Sequence, residues 1–88
     1  MIRLSAVGRV TDLRESGDDV YLYLNASFWN VESAARDSVT VIFCVKGNSF
    51  TRNLAGKSVY AEGTDIRPVR GNDGNVVVVV MNSRVESA

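Results

Sequence analysis

Five consecutive valines, Val76 to Val80, constrain this chain more than any other feature. A β-branched run of this kind belongs in a strand, and it is far too short to cross a membrane as a helix. A strand with one wet face alternates apolar and polar side chains. This one does not, so both faces need cover. In a small closed barrel Val76, Val78 and Val80 would fill the interior. Val77 and Val79 would then lie exposed beside a flat β edge that invites pairing. The sequence therefore predicts a homo-oligomer, at least a dimer, as the cover for that face.

Helical periodicity is scarce elsewhere, while β-branched and aromatic runs broken by turn residues are plentiful. Ile2 to Thr11 reads as a first strand, with Gly8 allowing a bend or bulge. The stretch Glu15 to Asp19 is a turn. Val20 to Trp29 alternates strictly: Val20, Leu22, Leu24 and Ala26 point one way, Tyr21, Tyr23, Asn25, Ser27 and Trp29 the other. Asn30 to Asp37 is a polar connection, and Ser38 to Lys46 is a third strand. Gly47 to Lys57 is the only place for a helix, a short one, capped by Asn48 or Ser49 and ended by Gly56. Phe50 would anchor it. "SVYAEG" is a fourth strand. A long hairpin follows, with Pro68 holding its outgoing arm at an edge, "GNDGN" as its turn and the valines as the last strand.

The expected fold is all-β: a five-stranded OB-fold, a Greek-key barrel with a short helix between strands 3 and 4. A small sandwich is the competing architecture. With 88 residues, the chain reads as one domain, 1–88, without repeat or linker.

Composition excludes several functions. Ten basic and ten acidic residues give a net charge of zero, which argues against a wholesale electrostatic binder but not against a basic face. There is no histidine and one cysteine, Cys44, inside an apolar strand. No internal disulfide can form, no set of Cys or His ligands exists for zinc, and no base stands ready to activate a nucleophile. "GNDGN" lacks the helix and lysine of a phosphate-cradling loop. Neither catalysis nor a metal or other cofactor is expected. "MIRLSAVGRV" is too short and polar for a signal peptide, so a cytoplasmic setting without membrane association is expected.

The ordered set of motifs resembles the bacterial single-stranded-DNA-binding proteins, the SSB family. "AVGRVTDLR" is similar to their opening strand and first loop. "YLYLNASFW" resembles their second strand, which ends in tryptophan after small polar residues, and "VTVIFCVKG" resembles their third. "LAGKSVYAEG" is similar to their helix end and fourth strand. "IRPVRGNDGNVVVVV" falls where they carry a long hairpin and a last strand. The resemblance covers nearly the whole chain. Departures are the lack of an aromatic at Asp37–Ser38 and at Val69–Arg70, a glycine pattern shifted by one before the fourth strand, and no acidic-hydrophobic tip after "VESA". The resemblance implies a minimal OB-fold form, bacterial or phage-type and active in the host cytoplasm, without the partner-recruiting role of that tip.

Exposed bases stack on aromatic rings, and phosphates pair with Lys and Arg. The alternation turns Tyr21, Tyr23 and Trp29 outward together as a stacking platform; the other explanation is that they pack under a loop or another subunit. Phe43 fits either an outward ring, as the resemblance implies, or an inward set with Val39, Val41 and Val45. Lys46, Arg52, Arg67 and Arg70 supply cations, the last two bracketing Pro68 on the hairpin. Arg9 and Arg14 add phosphate contacts from the first strand. The expected function is sequence-tolerant binding of single-stranded DNA, with RNA as a second ligand, in replication, recombination or repair. The alternative is an OB-fold protein-interaction module of a replication or primosome-type complex, its rings facing a partner.

Overall fold

The computed structural model describes residues 2–88. Seven strands form one mixed sheet: β1 (Leu4–Ser16), β2 (Asp19–Asn30), β3 (Ala35–Lys46), β4 (Ser58–Gly63), β5 (Asp65–Arg70), β6 (Val76–Met81) and β7 (Arg84–Ser87). The order across the sheet is β5-β6-β3-β2-β1-β4-β7. The chain is all-β, as its composition of β-branched runs predicts. The sheet is not closed into a barrel by a hydrogen-bonded ladder, and it has seven strands rather than five. The extra two are β7, which pairs with the free edge of β4, and β5, a hairpin arm that is a strand in its own right.

The first three strands are a meander. β1 and β2 meet at the two-residue turn Gly17–Asp18, where Gly17 has φ +59, a conformation open to glycine without strain. The β1–β2 register slips at Thr11, since Val10 faces Leu24 and Asp12 faces Tyr23. This bulge, not Gly8, lets Val10 and Leu13 both turn inward. Gly8 answers a different need: a Cβ there would lie 2.5 Å from the Asn25 carbonyl oxygen.

The expected helix between the third and fourth strands is a lone 3-10 turn, Thr51–Asn53. Its frame is a reciprocal pair of bonds: the Thr51 amide donates to Asn48 Oδ1 at 2.8 Å, and the Asn48 amide donates to Thr51 Oγ1 at 2.9 Å. Thr51 Oγ1 also donates to the Lys46 carbonyl. Phe50 does not anchor this segment, being 43% exposed; Leu54, 2% exposed, fills that place in the core.

β4 and β5 are separated by Thr64 alone, yet β4 pairs with β1 and β5 with β6. The sheet must therefore curl until its two flanks nearly meet. Gly63 permits the approach, since a Cβ there would lie 2.5 Å from the Val80 side chain. The curl encloses a core of Val10, Val20, Leu22, Leu24, Phe43, Leu54, Val59 and Val80, each under 2% exposed or nearly so.

The valine run is β6, with β5 on one side and β3, in parallel, on the other. It is an interior strand, so the exposed edge expected beside Val77 and Val79 belongs to β5 instead. Pro68 sits in that edge strand, where a residue without an amide hydrogen is tolerated. Val78 and Val80 turn to the core, but Val76, at the hairpin tip, is exposed rather than interior. Val77 and Val79 are half-buried.

Candidate nucleic-acid interface

Because Val20, Leu22 and Leu24 are buried, the intervening residues of β2 face outward. The cross-strand register extends this face into rows. One row reads Asp12, Tyr23, Ile42, Val79, Arg67 across β1, β2, β3, β6 and β5. The next reads Arg14, Tyr21, Cys44, and on the other side of Tyr23 lies Arg9, Asn25, Thr40. The centre is thus two tyrosine rings beside an aliphatic strip, with cations at both margins. The outer partner of Val79 is Arg67 on β5, so the hairpin forms one wall of the face.

β3 is buried on both faces from Val41 to Val45. That resolves the two alternatives for Phe43. It lies in the core at 0% exposure and offers no ring to a ligand. Ile42 and Cys44, on the outer face, are buried as well; Ile42 has Tyr23 and Val79 as register partners, and Cys44 has Tyr21.

Trp29 faces the same side as the tyrosines but not the same place. β2 and β3 continue past the core as a two-stranded arm, joined by a turn with Ala34 at φ +53. At about 3.3 Å per residue, Trp29 lies about 20 Å from Tyr23 along the strand. It is 57% exposed, and its register partner is Arg36. Arg36 escaped the sequence reading because Asn30 to Asp37 looked like a polar connection. Counting back by twos from Lys46 through Cys44, Ile42, Thr40 and Ser38 reaches it.

The cations differ in availability. Arg9, Arg36 and Lys46 are exposed on this face and make no ion pair among the described residues. The Arg14 guanidinium lies 5.3 Å from the Tyr23 ring centroid, a cation–π distance, and its Nε donates to Asp12 at 3.2 Å. Arg67 donates twice to Asp65, at 3.1 and 2.9 Å. That forked bond holds the Asp65 carboxyl below its ordinary value and Arg67 above it. Arg52 sits on the 3-10 turn, outside the sheet, and pairs with Glu15. Arg70 does not share the face of Arg67: it is three residues on, and its guanidinium donates to the Gly74 carbonyl, bracing the hairpin turn. The structure therefore gathers Tyr21, Tyr23, Arg9, Arg14, Lys46 and Arg67. It sets Trp29 apart with Arg36, and leaves Phe43, Arg52 and Arg70 outside.

Electrostatics makes the centre chemically quiet. The adjacent Cys44 pushes the Tyr21 phenol above its ordinary value; Asp19 adds to this and Arg67 opposes it. Burial pushes the Cys44 thiol up, again with Asp19 adding. Both groups stay protonated at neutral pH, so the thiol is a poor nucleophile there.

A second feature lies on the inner side of the arm. β1 and β2 part beyond Gly8 and Ala26, leaving a groove lined by Leu4, Ala6, Val7, Phe28, Val39 and Val41. Val7, Phe28 and Val39 are exposed. Among the described residues no helix is long and apolar enough to cross a membrane. No known protein-family profile matches the chain, and no curated protein matches it.

Proposed function

We propose that this chain is a non-catalytic, SSB-like protein that binds single-stranded DNA with little dependence on sequence. The observation that carries this is the row of Tyr23 and Tyr21 on an outward sheet face with cations at both margins. Stacking on an aromatic ring contributes about 1–3 kcal/mol per base. Arg9, Arg36 and Lys46 would take the phosphates, Arg14 and Arg67 would flank the rings with their charge held by Asp12 and Asp65, and Trp29 would extend the track along the arm. The connectivity supports an OB-like reading of the fold: β1 between β2 and β4, β3 beside β2, and the last long strand parallel to β3. In such folds this strand pair and the neighbouring hairpin form the ligand face.

The protein works as at least a dimer in this proposal. The support is the apolar groove between β1 and the arm, rather than an exposed edge of β6. The same groove favours the second reading, an interaction module that docks a protein partner. The tests separate the two. Anisotropy of labelled oligo(dT) should rise saturably and weaken with salt, and Trp29 fluorescence should be quenched. No binding at low salt would remove the nucleic-acid reading. Light scattering at micromolar concentration should give a mass of two chains or more; a stable monomer would remove the dimer.

A further inference from the structure

At one end of the tyrosine row the sheet opens into a recess of about 200 Å³. Its rim carries Asp19, Lys46 and Asn82, and its floor Cys44 and Met81. Asp19 and Lys46 are direct register partners across β2 and β3. They are nevertheless not bonded to each other. The four ion pairs among the described residues leave both out. A carboxylate and an ammonium thus stand side by side with their hydrogen-bonding capacity open. Asn82 is fixed at the bend between β6 and β7, with φ +51. Tyr21 lies two residues from Asp19 on the same face of β2, close enough for the Asp19 charge to act on its phenol.

We propose that this recess holds a guanine base, which gives the binding face a preference at one position. The inference rests on the single-stranded-DNA reading and deepens it. A carboxylate accepts hydrogen bonds and an ammonium only donates them. Their neighbour must therefore present donors beside an acceptor. Guanine does so: N1–H and the N2 amino group donate side by side, and O6 next to them accepts. Thymine has a single N–H between two carbonyls. Adenine and cytosine offer one amino donor beside a ring acceptor, so the Asp19 carboxylate gains a single bond where guanine gives it two. Single-stranded ligands expose these edges, which duplexes hide. With the base edge at Asp19 and Lys46, Tyr21 is the neighbouring ring on the same face of β2.

The test compares oligo(dT) with the same oligonucleotide carrying one dG, and with one deoxyinosine, which lacks the N2 amino group. Anisotropy titrations are run on the wild-type protein and on Asp19→Asn. The expected result is about fivefold or more tighter binding of the dG oligonucleotide, the lower range for a bidentate base contact. Inosine should lose part of that gain, and Asp19→Asn should bring the dG-to-dT ratio close to one. Equal affinity of the wild-type protein for dG and dT oligonucleotides, with oligo(dT) still bound, overturns the guanine recess and leaves single-strand binding standing. Failure to bind any of the three overturns both.

Discussion

Asp65→Asn should make single-strand binding more sensitive to salt. Of the five cations on the outer face, Arg14 and Arg67 are held by Asp12 and Asp65. Three remain free to exchange condensed counterions for phosphate: Arg9, Arg36 and Lys46. Each phosphate neutralised on a single strand contributes about −0.7 to the slope of log K against log salt. Three give a slope of about −2, so raising salt from about 50 to 200 mM weakens binding about 20-fold. Asp65→Asn keeps the shape of the side chain and removes the charge that engages Arg67. A fourth cation then contributes, the slope becomes about −3, and the same salt step costs about 50-fold. Anisotropy titrations of oligo(dT) at four or five salt concentrations resolve that difference. The reciprocal change, Arg67→Gln, should leave the wild-type slope almost unchanged, because Arg67 is already neutralised. An unchanged slope for Asp65→Asn, or a slope made shallower by a full unit in Arg67→Gln, would refute the claim that the forked bond sequesters this arginine.

Other expectations concern stability. Phe43→Ala should cost about 3–5 kcal/mol, as for a fully buried ring, whereas Phe50→Ala should stay within about 0.5 kcal/mol; urea unfolding of both variants checks the contrast. Gly63→Ala should cost about 1–3 kcal/mol, because the new methyl group meets Val80 where the flanks of the sheet approach. A urea midpoint equal to wild type would show that this approach is looser than described. Cys44 and Tyr21 both have raised values in the folded protein, so each favours its protonated form there. Their contribution is complete below the ordinary thiol value of about 8.5 and is lost as pH rises through the folded values. The urea midpoint should accordingly fall between pH 7 and pH 10.5, and a midpoint that rises over that range contradicts the sign.

The parts of the fold legible in the sequence are those where one face is dry and the other wet. β2 is such a strand, and its alternation placed Tyr21 and Tyr23 correctly, because a slip of one residue would have exposed three core side chains. β3 is dry on both faces between Val41 and Val45, so no period distinguishes Phe43 inward from Phe43 outward. The arm was lost for another reason. Ala34 takes a positive φ without being glycine, and a turn made of Val, Glu, Ser and Ala carries no hairpin signature, so Arg36 was hidden inside what reads as a connection. β7 is four residues long and draws its place from pairing with β4, a partner more than twenty positions earlier that no local pattern announces. The free or occupied state of each arginine depends on the carboxylate beside it in space, which the net charge of zero conceals.

The parallel ladder between β3 and β6 also sets the order in which this molecule can assemble. β1, β2 and β3 are joined by tight turns and can zip together from local contacts. The seat of Val80 in the core must then stay empty until the chain has passed through β4, crossed at Thr64 and returned down the hairpin to meet Val41 and Phe43. Closing so long a loop before any contact compensates for it makes this step the slow one, in the millisecond-to-second range typical of domains built on distant strand pairs, about a thousandfold slower than a lone hairpin. During that interval the meander presents Leu22, Leu24 and Phe43 to water. The five valines are thus the last piece to arrive, and until they do the half-built sheet is the form of this protein most prone to stick to its neighbours.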